Sequence, residues 1–305
     1  MHRAPRTAHR ARPTIRHVLR FTFHASRFTP ALALQARAFH VSRLALLFSL
    51  FALSACIETP RPTPALATLR IAASSTLSAL VDDLGDVYRA DHPWLTIQLE
   101  SIDTGAAFEL LDGGALDLAF VSWLPAGLDA RFWRSALAQD AVAVIVNAAN
   151  PASGLSLAQL REVFQGRAVD WSSLGWGNQE VSVVSREDGS GTRAAFEAAV
   201  MEGRPVTLNA VVQPDGDAVV GYVARVPGAI GYVSRARVTG GVRPIAIEGV
   251  EPNLVSVASG AYPIGRLLYV VARSEPQGAA RDFVAWLLGP DGQQAIAERG
   301  FGRVR

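Results

Sequence analysis

Between residues 69 and 299 the chain alternates between two kinds of pattern. Short apolar runs of strand length fall at Leu69-Ala73, Thr96-Ser101, Asp117-Val121, Ala141-Val146, Val181-Val184, Ala229-Val233 and Leu267-Ala272. Stretches with helical spacing lie between and after them: Thr76-Ala90, stopped by Pro93, then about Ala106-Asp112, Leu157-Phe164, Arg193-Met201, Asp215-Arg225, Ala279-Leu288 and Gly292-Arg299. The unbroken run Ala-Val-Ala-Val-Ile-Val at 141–146 predicts a strand buried on both faces. Alternation of this kind predicts an α/β architecture with helices packed on parallel-rich sheets. Its length, roughly 230 residues, suggests two lobes with a ligand crevice beyond the strand ends. Ala141-Asn147 and Leu267-Ala272 are the candidates for segments that pass between lobes.

The first 55 of the 305 residues do not follow this pattern. They hold nine arginines and no acid, and lead into Leu44-Ala-Leu-Leu-Phe-Ser-Leu-Phe-Ala-Leu-Ser-Ala-Cys56. An apolar stretch of that length, with a basic start and a small-residue end, reads as a secretory h-region rather than a membrane span. Leu53-Ser54-Ala55-Cys56 resembles the bacterial lipoprotein box, which makes Cys56 the expected lipidation site and residues 1–55 the leader. The segment before Val41 is long for an n-region, so either the signal is extended or the true start lies downstream. A mitochondrial-type presequence is also arginine-rich but does not end in such a box. Pro60, Pro62 and Pro64 give residues 56–67 the character of a stiff tether from a membrane. Cys56 is the only cysteine, so an intrachain disulfide is excluded.

Removing the leader reverses the charge. Past residue 55 stand 20 arginines, no lysine and 27 acids, a net of −7, which argues against a nucleic-acid partner. The chemistry concentrates in Ser185-Arg186-Glu187-Asp188-Gly189-Ser190-Gly191-Thr192, a loop between an apolar run and a helical stretch. Gly189 and Gly191 let backbone approach a ligand. The amides and dipole at the start of the helix favour negative charge. Ser190 and Thr192 add hydroxyl donors, and Arg186 a forked charge-assisted contact. A plainer reading also fits the local residues, in which Arg186 and Asp188 form a surface ion pair. An enzyme using Ser190 as nucleophile has little support. The only histidine after the leader is His92, in a helix-ending turn, and there is no Gly-x-Ser-x-Gly elbow or metal-spaced cluster. No cofactor or metal is expected.

Arg186-x-Asp188-Gly189-Ser190-Gly191-Thr192 resembles the signature of the phosphate-binding subunit of bacterial phosphate ABC transporters. Further matches stand in the same order: Ala73-Ser74-Ser75-Thr76, Ile102-Asp103-Thr104-Gly105-Ala106, Leu157 to Trp171, Gly228-Ala229-Ile230-Gly231-Tyr232, Tyr262-Pro263-Ile264-Gly265-Arg266-Leu267-Leu268-Tyr269, and Phe283 to Gly300. The resemblance spans 69–302. It implies a two-lobed type II periplasmic-binding-protein fold, hinge-linked, with ligand in the interlobe cleft. Lobe 1 is expected at 68–145 plus 275–305, and lobe 2 at 146–274. It also implies a monomer that hands inorganic phosphate to an ABC permease. The implied ligand shell is Ser75, Thr76, Thr104, Arg186, Ser190, Gly191 and Thr192, with Asp188 orienting Arg186. The family commonly carries an acid just after the third strand, to accept the proton of hydrogen phosphate. Here that segment is Val121-Ser122-Trp123-Leu124, so Asp103 or Ser122 is the expected substitute and Trp123 reads as packing or lobe-interface surface rather than a ligand contact. Sulfate, molybdate or tungstate is the alternative guest, and a phosphatase-type hydrolase using Ser190 the remote one.

Overall fold

A computed structural model describes residues 65–304. The leader, Cys56 and the tether up to residue 64 lie outside the described residues. The first half comprises β1 (Ala67–Ala73), α1 (Ser78–Asp91), β2 (Leu95–Ser101), α2 (Thr104–Asp112), β3 (Leu118–Val121), β4 (Trp133–Asn147), β5 (Gly154–Leu155) and α3 (Leu157–Phe164). Then follow β6 (Ser182–Arg186), α4 (Gly191–Phe196, extended by a wider π turn to Met201), β7 (Val211–Gln213), α5 (Gly216–Arg225), β8 (Ala229–Ser234), β9 (Val242–Pro244) and β10 (Ala246–Ile247). The chain closes with α6 (Leu254–Ala258), β11 (Gly265–Ala272), α7 (Gly278–Leu288) and α8 (Pro290–Glu298).

Local chemistry sets several boundaries. In α1 the buried positions Leu80, Val81, Leu84, Gly85 and Tyr88 form one helical face, and His92 ends the helix just before Pro93. Ser156 and Gln159 make a capping box at the start of α3. Asp215 caps α5 by accepting from the Ala218 amide at 2.8 Å.

Nine strands form one mixed sheet in the order β2-β1-β3-β11-β4-β8-β6-β7, with β9 also on β4. Parallel pairing is confined to the flanks, β1 with β2 and β3, and β6 with β7 and β8. The centre is antiparallel, where β11 pairs with β3 and β4, and β4 with β8 and β9. The expectation of parallel-rich sheets therefore holds only at the edges.

The 15-residue β4 is the spine of the molecule. Its first part, with β11, contributes Leu137, Ala138, Leu268 and Val270 to a core that includes Ile71, Leu84, Phe120 and Phe283. Its second part contributes Val142, Val144 and Val146 to a separate core around Phe164, Trp171, Phe196 and Tyr232. Between the two, Asp140 is fully buried. It takes both Arg266 Nη2 (2.7 Å) and Nε (3.0 Å), and accepts from Ser234 Oγ at 2.9 Å. One ionised group thus ties β4, β8 and β11 where the apolar cores part. A charge so placed is tolerated only because its partners supply what water would.

Candidate functional site

Four chain turns meet between the two cores. β1 delivers Ser74, Ser75 and Thr76 just before α1, and the end of β2 leads through Asp103 to Thr104, the first residue of α2. The end of β3 delivers Ser122 and Trp123, and β6 runs into the loop before α4. In each case a sheet strand fixes the position from which a short polar segment emerges, buried at its end in β1, β3 and β6 and largely exposed in β2, and a helix follows three of them.

Arg186 ends β6 and is 2% exposed. Its guanidinium is held on one side by Glu187, whose carboxylate takes Nε at 3.0 Å and Nη2 at 2.7 Å. The carbonyls of Gln213 and Pro214 accept from the same two nitrogens. Nη2 also donates to Ser75 Oγ at 3.3 Å, while Nη1 makes no hydrogen bond among the described residues. Gly189 stands at φ +89°, a left-handed conformation that turns the loop back toward α4. Ser190 caps α4, its Oγ accepting from the Arg193 amide at 3.3 Å, which leaves its proton free to be donated. Arg193 braces the loop, donating to the Arg186 carbonyl and pairing with Asp188 and Glu197. Partial burial works against its charge, but Glu197, aided by Asp188, holds the guanidinium above its ordinary range. Below the loop, Tyr232 OH shares a 2.7 Å hydrogen bond with Ser185 Oγ. Burial pushes this phenol up to about 12 despite that bond.

Thr76 Oγ1 meets Thr192 Oγ1 at 3.0 Å. Ser74 and Ser122 share a hydrogen bond of 3.0 Å on the β1–β3 side. Arg237 reaches the Ser75 carbonyl at 3.0 Å while pairing with Asp217. A cavity of about 510 Å³, lined by Ser75, Asp82, Ser101, Asp217 and Arg237 among others, opens beside this contact. A β-carbon placed on Gly191 would lie 2.4 Å from Ser122 Oγ, and one on Gly189 3.2 Å from Asp103 Oδ2. Thr104 is buried, and its Oγ1 has no partner among the described residues.

Ser75, Thr76, Asp103, Thr104, Ser122, Arg186, Ser190, Gly191 and Thr192 are therefore brought into one region. Asp188 is not. Its side chain is 96% exposed and pairs with Arg193 Nη1 at 2.7 Å, so the expected orienting of Arg186 falls to Glu187 instead. The left-handed turn at Gly189 leaves Asp188 on the outside of the loop. Asp103 is exposed at the rim, whereas Ser122 is buried. Ser74, Glu187 and Arg193 were not singled out from the sequence; adjacency to Arg186 was the only available signal for Glu187. His92 stacks on Tyr88 at 3.8 Å, and its Nδ1 shares a hydrogen bond with the Tyr88 carbonyl at the end of α1. Among the described residues, no group of three or more His, Cys, Asp or Glu could hold a metal ion.

Comparison with known proteins bears on this cleft. The family model described as PBP superfamily domain matches residues 58–291. "Phosphate-binding protein PstS" of Bacillus subtilis is 30% identical over 238 residues, which cover 75% of this chain and 78% of that protein. The chain belongs to the phosphate-binding proteins of the PBP superfamily. The PstS of Pseudomonas aeruginosa is 27% identical over 262 residues, covering 75% and 80%. Among solved structures, a Clostridium perfringens protein with bound phosphate, described as a phosphate ABC transporter substrate-binding protein, aligns with TM-score 0.74 at 25% identity. That alignment covers 78% of this chain and 100% of the other. An ABC-type phosphate transport receptor from Vibrio cholerae gives 0.68 at 26% identity, covering 77% and 99%. The mixed sheet is accordingly the type II periplasmic-binding-protein fold.

Proposed function

We propose that this phosphate-binding protein captures one inorganic phosphate ion in the cleft and delivers it to an ABC permease, which reads lobe closure. The observation that carries the reading is the convergence of neutral donors from both lobes on the almost fully buried guanidinium of Arg186. The shell is Ser75, Thr76 and Thr104 from one lobe and Arg186, Ser190, Gly191 and Thr192 from the other, with Ser122 behind Gly191. In a dry cleft such donors act strongly and need no reorganisation when the anion arrives. The chain is a receptor rather than an enzyme: Ser190 serves as a helix cap and the His92 ring is stacked on Tyr88.

The lobe boundary follows β4 and β11. Lobe 1 runs from residue 68 to about 140 and resumes near 266, in place of the edges expected at 145 and 275. Residues 1–55 act as the leader and Cys56 as the lipidated anchor, holding a monomer at the outer face of the membrane. Among the described residues no helix is long and apolar enough to cross a membrane. Cys56→Ala should release the chain from the membrane fraction.

Calorimetry on the purified full-length chain tests the central claim. Phosphate should bind with a single site, and Arg186→Ala should abolish binding. Turnover of a chromogenic phosphate ester, lost in Ser190→Ala, would replace the receptor reading with a hydrolase.

A further inference from the structure

Trp123 follows Ser122 at the end of β3. Its indole Nε1 is buried and has no hydrogen-bond partner among the described residues. The ring atom bonded to that nitrogen, Cδ1, lies 2.9 Å from where a β-carbon on Gly191 would sit. The N–H edge of the indole is therefore seated against the first residue of α4, where backbone amides also point outward. Thr104 Oγ1 is a second buried polar atom in the same cleft without a partner. Burying such groups unpaired is unfavourable, and a guest that accepts from them removes the penalty.

The acids around the cleft are committed or exposed: Asp217 pairs with Arg237, Asp215 caps α5, and Asp82 is exposed in the cavity beside Ser75. Among the described residues the only buried acid is Asp140, which is held by Arg266 and Ser234. Glu187 gives both oxygens to Arg186. Asp103 is exposed at the rim, facing Gly189. What remains to accept a proton from a guest is neutral hydroxyl oxygen, chiefly the Ser74–Ser122 pair.

We propose that the Trp123 indole N–H is a ligand donor, and that the cleft, with no buried carboxylate acceptor, receives fully ionised tetrahedral oxyanions such as sulfate as well as hydrogen phosphate. The inference rests on the oxyanion reading above and specifies the substrate class of that same site. Hydrogen phosphate carries a proton that must be accepted; sulfate carries none. A site built around one hydrogen bond to a substrate hydroxyl rejects the analogue lacking it by about 10⁴-fold. A lining of hydroxyls, which can either donate or accept, lacks that penalty, so sulfate should bind within about tenfold of phosphate.

The test uses the full-length chain and its Trp123→Phe variant, which keeps an aromatic ring and removes the N–H. Each is titrated calorimetrically with phosphate and with sulfate, and its melting temperature is read without ligand. In parallel, ¹⁵N-indole labelling of the wild type follows the Trp123 Nε1–H resonance, assigned by its loss in the variant. The expected result is binding of both ions by the wild type and a shift of that resonance with each. Affinity for both should fall about tenfold or more in Trp123→Phe, with an unchanged melting temperature. Equal affinities in wild type and variant, or an indole resonance that ignores both ions, overturn the proposal. So does rejection of sulfate by more than about a thousandfold. If that rejection disappears in Asp103→Asn, the rim carboxylate is the acceptor. These failures leave phosphate capture standing, whereas absence of binding to either ion removes both readings.

Discussion

Gly191→Ala perturbs the cleft at its tightest point. The backbone there is helical and not left-handed, so alanine is otherwise favoured over glycine. The added carbon would meet Ser122 Oγ at 2.4 Å, Ser122 Cβ at 2.8 Å and Trp123 Cδ1 at 2.9 Å. Comfortable contacts between such atoms are about 3.5–4.0 Å, so the two walls must part by roughly 1 Å. Gly191 starts α4 in one lobe, and Ser122 and Trp123 follow β3 in the other. Opening the cleft therefore relieves the clash without disturbing either core. Overpacking of this kind costs about 1–3 kcal/mol. Levied on the closed state alone, it should lower phosphate affinity by about 5- to 150-fold. The melting temperature without phosphate should stay within about 2 °C of wild type, since ~1 kcal/mol moves a domain of this size by only about 2–4 °C. Ser122→Gly in the same chain removes two of the three contacts and should restore part of the affinity. Calorimetric titration with thermal melts on wild type, single and double variants reads all of this. Wild-type affinity in Gly191→Ala, or a large loss of melting temperature without ligand, would refute the reasoning.

Asp140→Ala leaves the Arg266 guanidinium buried and unpaired, which costs about 3–5 kcal/mol; calorimetry should record a fall in melting temperature of about 6–20 °C. Asp188→Asn should change phosphate affinity by less than about fivefold, because its partner contact is exposed and worth about 1 kcal/mol at most. Tyr232 should remain protonated well past the ordinary phenol range in an absorbance titration, ionising near pH 12. Its folded pKa lies above the unfolded value of about 10, so its contribution to stability is complete below pH 10 and is lost as pH rises through about 12. Denaturant melts across that window should show a shallower alkaline loss in Tyr232→Phe.

Much of the fold could be read from the sequence because its signals are local. The strand-loop-helix at 181–201 is marked by an apolar run, two glycines and a capping serine within twenty residues, and the structure keeps that order. The first part of β4 carried no such mark. Trp-Arg-Ser-Ala-Leu-Ala-Gln-Asp at 133–140 mixes polar and apolar positions because part of it is only half-buried and it ends in a buried charge. Asp140 and Arg266 lie 126 residues apart, and only the pairing of β4 with β11 puts them together. The choice between Glu187 and Asp188 as partner of Arg186 depended on the left-handed turn at Gly189, which reverses the direction in which successive side chains point. From the sequence Trp123 reads as packing or lobe-interface surface; the donor role proposed above rests on a nitrogen without a partner among the described residues and on the closeness of Gly191.

The polar contacts across the cleft also suggest how a chain whose residues past 55 carry a net charge of −7 can close on an anion. Thr76 with Thr192 and Arg186 with Ser75 bond across the lobes at 3.0 and 3.3 Å. The hydroxyl pair is neutral, and such a hydrogen bond contributes only about 0.5–1.5 kcal/mol net. A tetrahedral dianion set among the same donors exchanges the hydroxyl-hydroxyl bond for charge-assisted ones, roughly twice as strong. Thr104 Oγ1 then gains a partner that it lacks among the described residues. Under the function proposed above, the guest binds the closed arrangement better than the open one, which is the condition for a ligand to shift the equilibrium between them. Fixed local dipoles and one guanidinium supply the attraction, so the acids elsewhere on the surface, screened by water and salt, do not prevent it.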